Sequence, residues 1–598
     1  MSKAIKQLIL SQGIDVVLDD PITGYHACKS MAKGYSTSLS SPDEQVMHAQ
    51  SFCCISVTAF WRAICKRNDA QLPVKSHSFM LTPLPADVIH IAESVGEIVS
   101  RFPIEQAGYL IGSIYTVMLP PSVRSTLGAY YTPPSLVTHL LKQAEAAGFN
   151  FSTGSAIDPA CGGGAFLIPL ALKMIQSDEG RSAIWTLTRL KRQLKGIEID
   201  PFAAWISSVL LEASLLPLCV AANHRLDGIV VVGDALKQDK NDCFDLVIGN
   251  PPYGRIKLEP EMRDLYARSL YGHANLYGLF TDLALRMLKP AGVLAFLTPT
   301  SFLGGQYFKS LRKLLTTEAH PVSVDFVLDR EGVFDDVLQE TILTTYTKAA
   351  SKDDVKISTI IPESLDFASS CFIGETEVNA TGEPWLFPRT TSDASFFHAI
   401  ADMPTRLADL GFAVSTGQLV WNRHKDQLKN DNKNGELPLI WAESVTSDGF
   451  EFKATRKNHQ PFVSVGTKQS HLITKNESIL IQRTTSKEQS RRLLVAVLPQ
   501  DFINYHGGAV IENHLNIVYP RTDTAPQISL TTLAALLSTK VVDRVYRCIS
   551  GSVAVSAYEL NALPLPSSKQ LLELEFMLQG NADELFIERK VASFYGDI

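Results

Sequence analysis

From about residue 121 to about residue 350, short apolar runs ending in an acidic residue or glycine alternate with helical patterns. That alternation confines the stretch to an α/β domain with a mostly parallel sheet, because parallel neighbours need a crossover and a helix supplies it. Strand ends fall near Asp158, Ile199, Val232, Gly249 and Leu297, and helices start near Ala165, Phe202 and Leu276. Two further β-rich runs, Val322–Leu328 and Glu340–Thr347, read as a closing antiparallel hairpin. Residues 1 to about 120 hold helical patterns, such as Val88–Val99, without a chemical motif, and Leu119-Pro120-Pro121 reads as a linker. After about residue 380 short strands, loops and polar runs take over, and 567–598 read as a terminal helical tail. Three regions are therefore expected: 1–120, 121–380 and 381–598.

Composition serves mainly to exclude. The 598 residues are 45% apolar and 20% charged, which rules out a largely disordered chain or a fibrous repeat. A net charge of −7 excludes a uniformly basic nucleic-acid coat but leaves room for a local basic cleft. The nine cysteines form no CxxC pair, so reduced thiols without a zinc site are expected. The opening MSKAIKQLILSQGIDVVLDD meets acids too soon for a secretory signal, and the apolar run Leu210–Ala222 is broken by Glu212 and Pro217. No membrane segment and a cytoplasmic location are the expectation.

Four runs carry the chemistry. Asp158-Pro159-Ala160-Cys161-Gly162-Gly163-Gly164-Ala165-Phe166 is a glycine turn between a strand and a helix, where ligands of open α/β sheets bind. It lacks the lysine of a phosphate-cradling loop, and Cys161 has no base partner to make it a nucleophile. Gly196-Ile197-Glu198-Ile199-Asp200 puts an acid at the next strand tip, suited to ribose hydroxyls, and Gly233-Asp234-Ala235 sets Asp234 where it can meet an adenine amine. Singly, each has a bland reading as a solvated strand end. The fourth run is Asp245-Leu246-Val247-Ile248-Gly249-Asn250-Pro251-Pro252-Tyr253-Gly254, a buried strand running into Asn-Pro-Pro-Tyr. Two prolines fix the backbone and remove two N–H donors. The Asn250 amide oxygen and a neighbouring carbonyl then make a neutral acceptor pair for an amino group, and Tyr253 offers a face to a planar base.

In this order the motifs resemble those of the N6-adenine DNA methyltransferases of type II restriction–modification systems, in the gamma arrangement, over roughly residues 125–566. The resemblance implies a Rossmann-like seven-stranded methyltransferase sheet with an N-terminal helical region and a C-terminal mixed α+β target-recognition domain. It implies S-adenosylmethionine as cofactor and no metal. Gly128-Ala129-Tyr130-Tyr131-Thr132-Pro133-Pro134 is similar to the family motif whose threonine lies near the cofactor, and Asn275–Phe280 to the helix start whose phenylalanine, Phe280, holds the cofactor adenine. Glu331-Gly332-Val333-Phe334 is similar to the late motif whose aromatic residue packs on the flipped base. By the same resemblance Thr132, Asp158, Ala160, Cys161, Gly162, Gly164, Glu198, Ile199, Asp234, Ala235, Asn250, Pro252 and Phe280 are cofactor contacts. Asn250, Pro251, Pro252, Tyr253 and Phe334 form the catalytic set. The chain departs from the pattern in a longer insert between Asp158 and Glu198, containing Arg189, Lys191, Arg192 and Lys195.

The exocyclic amine of adenine is a poor nucleophile, and its two hydrogens would be taken by Asn250 and the Pro251 carbonyl, positioning it for in-line attack. A duplex hides that amine, so the base must be rotated out at a cost of a few kcal/mol. Double-stranded DNA is thus the expected partner, with a cognate restriction endonuclease as functional partner and a monomeric enzyme. Residues 401–560 hold about 18 Lys/Arg against 15 Asp/Glu, whereas 1–400 hold about 34 against 41. Trp421–Lys425 and Gln482–Lys487 are the candidate DNA segments, with Arg423, Lys425, Arg483 and Lys487 the candidate contacts. Three alternatives compete. An RNA or protein-glutamine N-methyltransferase usually lacks so long a C-terminal region. A fused restriction–modification enzyme needs a metal-binding acid cluster, and the E-x-K runs at Glu451–Lys453 and Glu588–Lys590 have no Pro-Asp shortly upstream. A DNA-binding protein with a dead methyltransferase fold conflicts with the intact Asn250–Tyr253 run.

Overall fold

The computed structural model describes residues 20–127, 132–238, 241–328, 340–349, 354–378, 381–401, 403–433, 435–484, 491–549 and 554–597. The chain divides into two compact units, one of residues 1–299 with 313–371 and the other of 300–312 with 372–598.

The sheet is built from β1 (Ala156–Asp158), β2 (Leu194–Glu198), β3 (Val230–Val232), β4 (Phe244–Gly249), β5 (Leu288–Pro299), β6 (His320–Val327), β7 (Thr341–Thr347), β8 (Val355–Pro362) and β9 (Ala368–Thr376). Their order is β9-β8-β6-β7-β5-β4-β1-β2-β3, nine strands where seven were expected. The additional pair is β8 and β9, of which β8 runs parallel to β6. β3, β2, β1, β4 and β5 are mutually parallel neighbours. β7 runs antiparallel between β5 and β6, so the two late β-rich runs do pair as a hairpin. The chain lays β1, β2 and β3 outward in one direction, then returns to place β4 on the other side of β1. That reversal opens a crevice at the carboxyl ends of β1 and β4, the usual ligand position in such sheets.

The strands read as continuous apolar runs because helices cover them: Leu246, Val247 and Ile248 of β4 are fully buried. Helices Leu167–Ile175 and Ala183–Gln193 connect β1 to β2, Pro201–Ser214 and Leu216–Ala222 connect β2 to β3, and Leu276–Met287 precedes β5. Of the basic residues of the insert before Glu198, Arg189, Lys191 and Arg192 lie on the helix Ala183–Gln193 and Lys195 on β2. Arg189 is buried, donating to Asp178 at 2.7 Å and to the Met174 carbonyl at 2.7 Å.

The N-terminal helices, Pro21–Thr37, Pro42–Arg67, Ala86–Val99 and Ala107–Met118, share one hydrophobic core with the sheet, from Phe52 and Ile111 through Leu170 to Leu246. Asp20 and Ser41 cap the first two helices, each followed by a proline at the first helical position. Pro42–Arg67 and Ala86–Val99 approach so closely that a Cβ on Gly96 would lie 2.2 Å from the Ser56 carbonyl oxygen. Leu119-Pro120-Pro121 is no linker: Leu119 lies in this core and Pro121 opens the helix Pro121–Leu127.

The second unit holds an antiparallel sheet in the order Phe412–Thr416, Leu515–Pro520, Ser478–Gln482, Val495–Leu498, and a five-stranded sheet of short strands. Helices Leu530–Leu537, Lys540–Ile549, Ser568–Gln579 and Glu584–Phe594 close its core. Leu571, Leu574, Ile587, Val591 and Tyr595 are buried there, so the last two helices are helical as expected but pack one face into this core rather than forming a tail. Within this unit Arg312, fully buried, donates to the carbonyls of Phe302, Gly305, Gly382 and Glu383. Nε and Nη1 make those bonds, Nη2 donates to the Tyr558 hydroxyl at 3.2 Å, and together they bind the early segment to the late one.

Among the described residues no single helix is long and apolar enough to cross a membrane. The bent pair Pro201–Ser214 and Leu216–Ala222 approaches that composition because most of it is buried beside the sheet.

Candidate functional site

A cavity of about 380 Å³ lies at the carboxyl ends of β1, β2, β3 and β4. The turn after β1 forms its floor. Gly162 and Gly164 both adopt the left-handed backbone, at φ +49° and +88°. The turn is fastened to β2 by Cys161 N–H donating to the Ile197 carbonyl at 3.0 Å and Gly162 N–H donating to Glu198 Oε2 at 2.8 Å. Asp158 Oδ1 accepts from the Ala160 N–H at 3.0 Å. On the next strand end, Glu198 Oε1 accepts from the Asp200 N–H, and Asp200 caps the following helix through the Phe202 N–H, each at 2.9 Å. Asp234 closes its own turn by accepting from the Leu236 N–H at 3.1 Å.

Thr132, Asp158, Ala160, Cys161, Gly162, Glu198, Ile199, Asp234, Ala235, Asn250, Pro252 and Phe280 all line this cavity. Gly164 does not: its left-handed backbone faces Ser207, whose Oγ would lie 2.9 Å from a Cβ there, and Gly163 and Ala165 take the wall instead. Pro251 and Tyr253 stand outside the lining. Phe334 and Lys487 lie outside the described residues, as do Gly128–Tyr131.

Sequence reasoning missed Tyr115, Asp200, Ala203, Leu236 and Ile256 among the lining residues. Tyr115 comes from the helix Ala107–Met118, 47 residues before Gly162, and its hydroxyl is hydrogen-bonded to Asp200. No local pattern marks it. Asp200 was visible in the run after β2 and differs from Glu198 only in also capping a helix.

The electrostatics follow from burial. Burial pushes the Asp158 carboxyl up to about 8, against the pull of the Ala160 N–H, and the neighbouring Glu198 charge adds to the rise. Burial raises Glu198 and Asp200 as well. Three carboxyls with suppressed ionisation in one small cavity favour a cationic ligand, which would restore their charged forms. Burial also pushes the Cys161 thiol well above its ordinary value, which removes it as a nucleophile at neutral pH. Among the described residues no group of three or more His, Cys, Asp or Glu could hold a metal.

At the end of β4 the Asn250 side chain is held at both ends. Its Nδ2 donates to Thr132 Oγ1 at 3.1 Å, and its Oδ1 accepts from the Tyr253 hydroxyl at 2.6 Å. The Tyr253 ring meets Tyr277 edge-on, with centroids 6.2 Å apart. Gly249, just before Asn250, backs directly onto Asp158: a Cβ there would lie 2.6 Å from Asp158 Oδ1. The Asn-Pro-Pro-Tyr turn and the glycine turn are therefore packed as one piece.

In the second unit Arg423 and Lys425 lie on two short helical turns, with the Lys425 ammonium 5.6 Å from the Trp421 ring centroid. Arg483 follows the strand Ser478–Gln482, and its guanidinium donates to the Asn513 carbonyl at 3.2 Å. Gln482, at the head of the second candidate segment, faces inward and donates to the carbonyls of Ala442 and Val445, which withdraws it from the surface.

Residues 192–334 match the Eco57I restriction-modification methylase family. The type II methyltransferase M.BsuBI of Bacillus subtilis is 24% identical over 473 residues, spanning 75% of this chain and 90% of that protein. M.PstI of Providencia stuartii is 28% identical over 354 residues, spanning 57% of this chain and 69% of that protein. Among solved structures, the type IIL restriction-modification enzyme MmeI in complex with DNA shares the fold with a TM-score of 0.53 at 14% identity, covering 91% of this chain and 87% of that one. The chain is a homologue of type II restriction–modification methyltransferases.

Proposed function

We propose that this protein transfers a methyl group from S-adenosylmethionine to the N6 amine of an adenine flipped out of duplex DNA, protecting host DNA from a cognate restriction endonuclease. The observation that carries the reading is the juxtaposition, at one topological switch, of the Asn250 acceptor with a carboxyl-lined cavity built by Asp158, Glu198 and Asp200. Those residues fit the cofactor: a sulfonium and an ammonium suit the buried carboxyls, Glu198 and Asp234 stand where a ribose and an adenine amine are read in related folds, and Phe280 supplies an apolar wall. S-adenosylmethionine, when bound, supplies an electrophilic methyl group.

Every other element of the reaction falls to the chain. Asn250 Oδ1 has a second lone pair beyond the one taken by Tyr253, and with the Pro251 carbonyl it accepts the two hydrogens of the target amine. Thr132 keeps the Asn250 Nδ2 turned away, so the oxygen faces the substrate. Both acceptors are neutral and the orientation is set in advance, so positioning and electrostatics lower the barrier rather than a strong base. Tyr253 and Phe334 take the faces of the flipped base at ~1–3 kcal/mol per stacking contact, enough to offset much of the extrusion cost. The second unit, with Arg423, Lys425, Arg483 and Lys487, acts as the target-recognition domain, and the enzyme works as a cytoplasmic monomer without a metal.

The test is transfer of labelled methyl from S-adenosylmethionine to duplex DNA, followed by nucleoside mass spectrometry. N6-methyladenine is the expected product. N4-methylcytosine would overturn the choice of base, and transfer to RNA or a release factor instead of DNA would overturn the substrate class.

A further inference from the structure

The loop Lys453–Gln460, in the second unit, reads Lys-Ala-Thr-Arg-Lys-Asn-His-Gln, with three cations and no acid. Thr455, Arg456, Lys457 and Asn458 are all exposed. An exposed polar loop of this kind is ordinarily mobile, yet here its base is tied from beneath. The Glu443 carboxylate, itself nearly buried, accepts from the Thr455 N–H at 2.8 Å, the Thr455 hydroxyl at 3.1 Å, the Arg456 N–H at 3.4 Å and His459 Nδ1 at 3.0 Å. The His459 ring lies flat on Trp441, with centroids 3.8 Å apart and planes 9° apart, and Trp441 Nε1 donates to the Gln460 carbonyl at 2.8 Å. At the tip Asn458 has φ +72°, a left-handed conformation that asparagine tolerates better than most residues.

The same Trp441 also contacts Trp421, 6.4 Å between centroids, and Trp421 carries Lys425 above its ring. The loop and the Trp421–Lys425 segment are thus anchored on one indole and present their cations on neighbouring stretches of surface. Fixing a loop costs conformational entropy, so a loop already fixed in the free protein meets a partner without that cost. The Arg456 guanidinium itself lies 3.6 Å from the Glu443 carboxylate and offsets its charge toward a polyanion.

We propose that Arg456, Lys457 and Asn458 form a pre-ordered tip that reads base edges of the duplex target site. The assignment rests on DNA being the substrate, as proposed above. The residue types match the need: Arg and Lys pair with guanine edges, Asn pairs bidentately with adenine, and a lysine that misses a base meets phosphate.

The test expresses the full-length protein in a methylation-deficient host and maps modified bases across the genome, for wild type and for Arg456→Ala, Lys457→Ala and Asn458→Gly. Glycine at 458 keeps the left-handed backbone while removing the side chain, so that variant retains the loop even if Arg456→Ala disturbs it. Wild type should mark one motif. Asn458→Gly or Arg456→Ala should relax it, with ~10-fold or greater loss of discrimination at one or two base pairs. Variants with wild-type melting curves that mark the same motif at the same rate would overturn this assignment alone. A wild-type protein that leaves DNA unmarked would overturn the proposed function as well.

Discussion

Asp158→Asn tests whether the cavity stores unfavourable electrostatics that a cationic ligand relieves. The Asp158 carboxyl is pushed from an ordinary 3.8 to about 8 by burial, so in the folded protein it holds its proton across neutral pH. In the unfolded chain it is ionised above about pH 4. Between those values the folded state binds more protons than the unfolded one, so the group's contribution to stability falls as pH rises, by about 1.4 kcal/mol per pH unit, and levels off above about 8. By pH 8 the accumulated difference is on the order of 5 kcal/mol, an upper figure because local relaxation and water would absorb part of it. Asparagine has the shape of the protonated acid and keeps the acceptor for the Ala160 N–H. The variant should therefore match wild type near pH 4.5 and melt several degrees higher at pH 8. Hydrogen exchange at the β1 amides would report the same change locally. The gain comes at a functional cost, since a neutral amide cannot balance a bound cation, and affinity for S-adenosylmethionine should fall ~10-fold or more. Wild type should release protons on binding, measurable as a buffer-dependent heat in calorimetry. Identical pH–stability curves for the two proteins, with unchanged ligand affinity, would refute the account of Asp158.

Asn250→Ala should leave S-adenosylmethionine affinity within a few-fold while lowering single-turnover methyl transfer by at least ~100-fold, because it removes one acceptor of the polarising pair. Tyr253→Ala should reduce the fluorescence rise of 2-aminopurine placed at the target position more than it changes cofactor binding, since it loses a stacking face. Full-length protein should lose DNA affinity steeply with added salt. A chain ended after residue 380 loses Gly382 and Glu383, two of the four carbonyl partners of buried Arg312, and should melt lower and lose site-selective methylation. A folded truncation with unchanged selectivity, checked by circular dichroism and methylation mapping, would move recognition out of the second unit.

The readable parts of the chain were those where backbone requirements and chemistry coincide. A parallel strand ends at a fixed edge of the sheet, and a glycine turn, an acid or an Asn-Pro-Pro-Tyr there marks both the strand end and the ligand side. Hence Asp158, Glu198, Asp234 and Asn250 could be named from local runs, and all four meet in one cavity. What stayed hidden depends on long-range packing. Tyr115 reaches the cavity only because its helix shares the sheet's core. The pair β8 and β9 could not be distinguished from irregular structure before a partner, β6, was available to dock on. Gln482 opened a candidate DNA segment because its polarity is visible in sequence while its inward strand face is not. Residues 567–598 looked like a tail because two short amphipathic helices carry no sign of what covers them.

Residues 20–120 carry no motif, yet their packing makes them part of the cavity's surroundings rather than an attachment to it. Phe202 opens the helix that Asp200 caps, and its ring is covered by Tyr115 at 5.0 Å and by Phe79 at 5.1 Å between centroids. Trp205, one turn on, donates from its indole to the Lys75 carbonyl at 2.9 Å, and the same lysine donates to the Leu226 carbonyl at 2.7 Å. The buried Glu212 on that helix takes Arg225 in a bidentate pair, 2.7 Å on each side, while Arg225 reaches the Pro73 carbonyl at 3.0 Å. A single helix, Pro201–Ser214, is thus fixed at its start by the cavity's own acid and along its length by the segment Pro73–Phe79 and the helix bearing Tyr115. Because Glu198 and Asp200 lie within three residues of that helix's start, loosening of the N-terminal layer should be transmitted to the carboxyls that line the cavity.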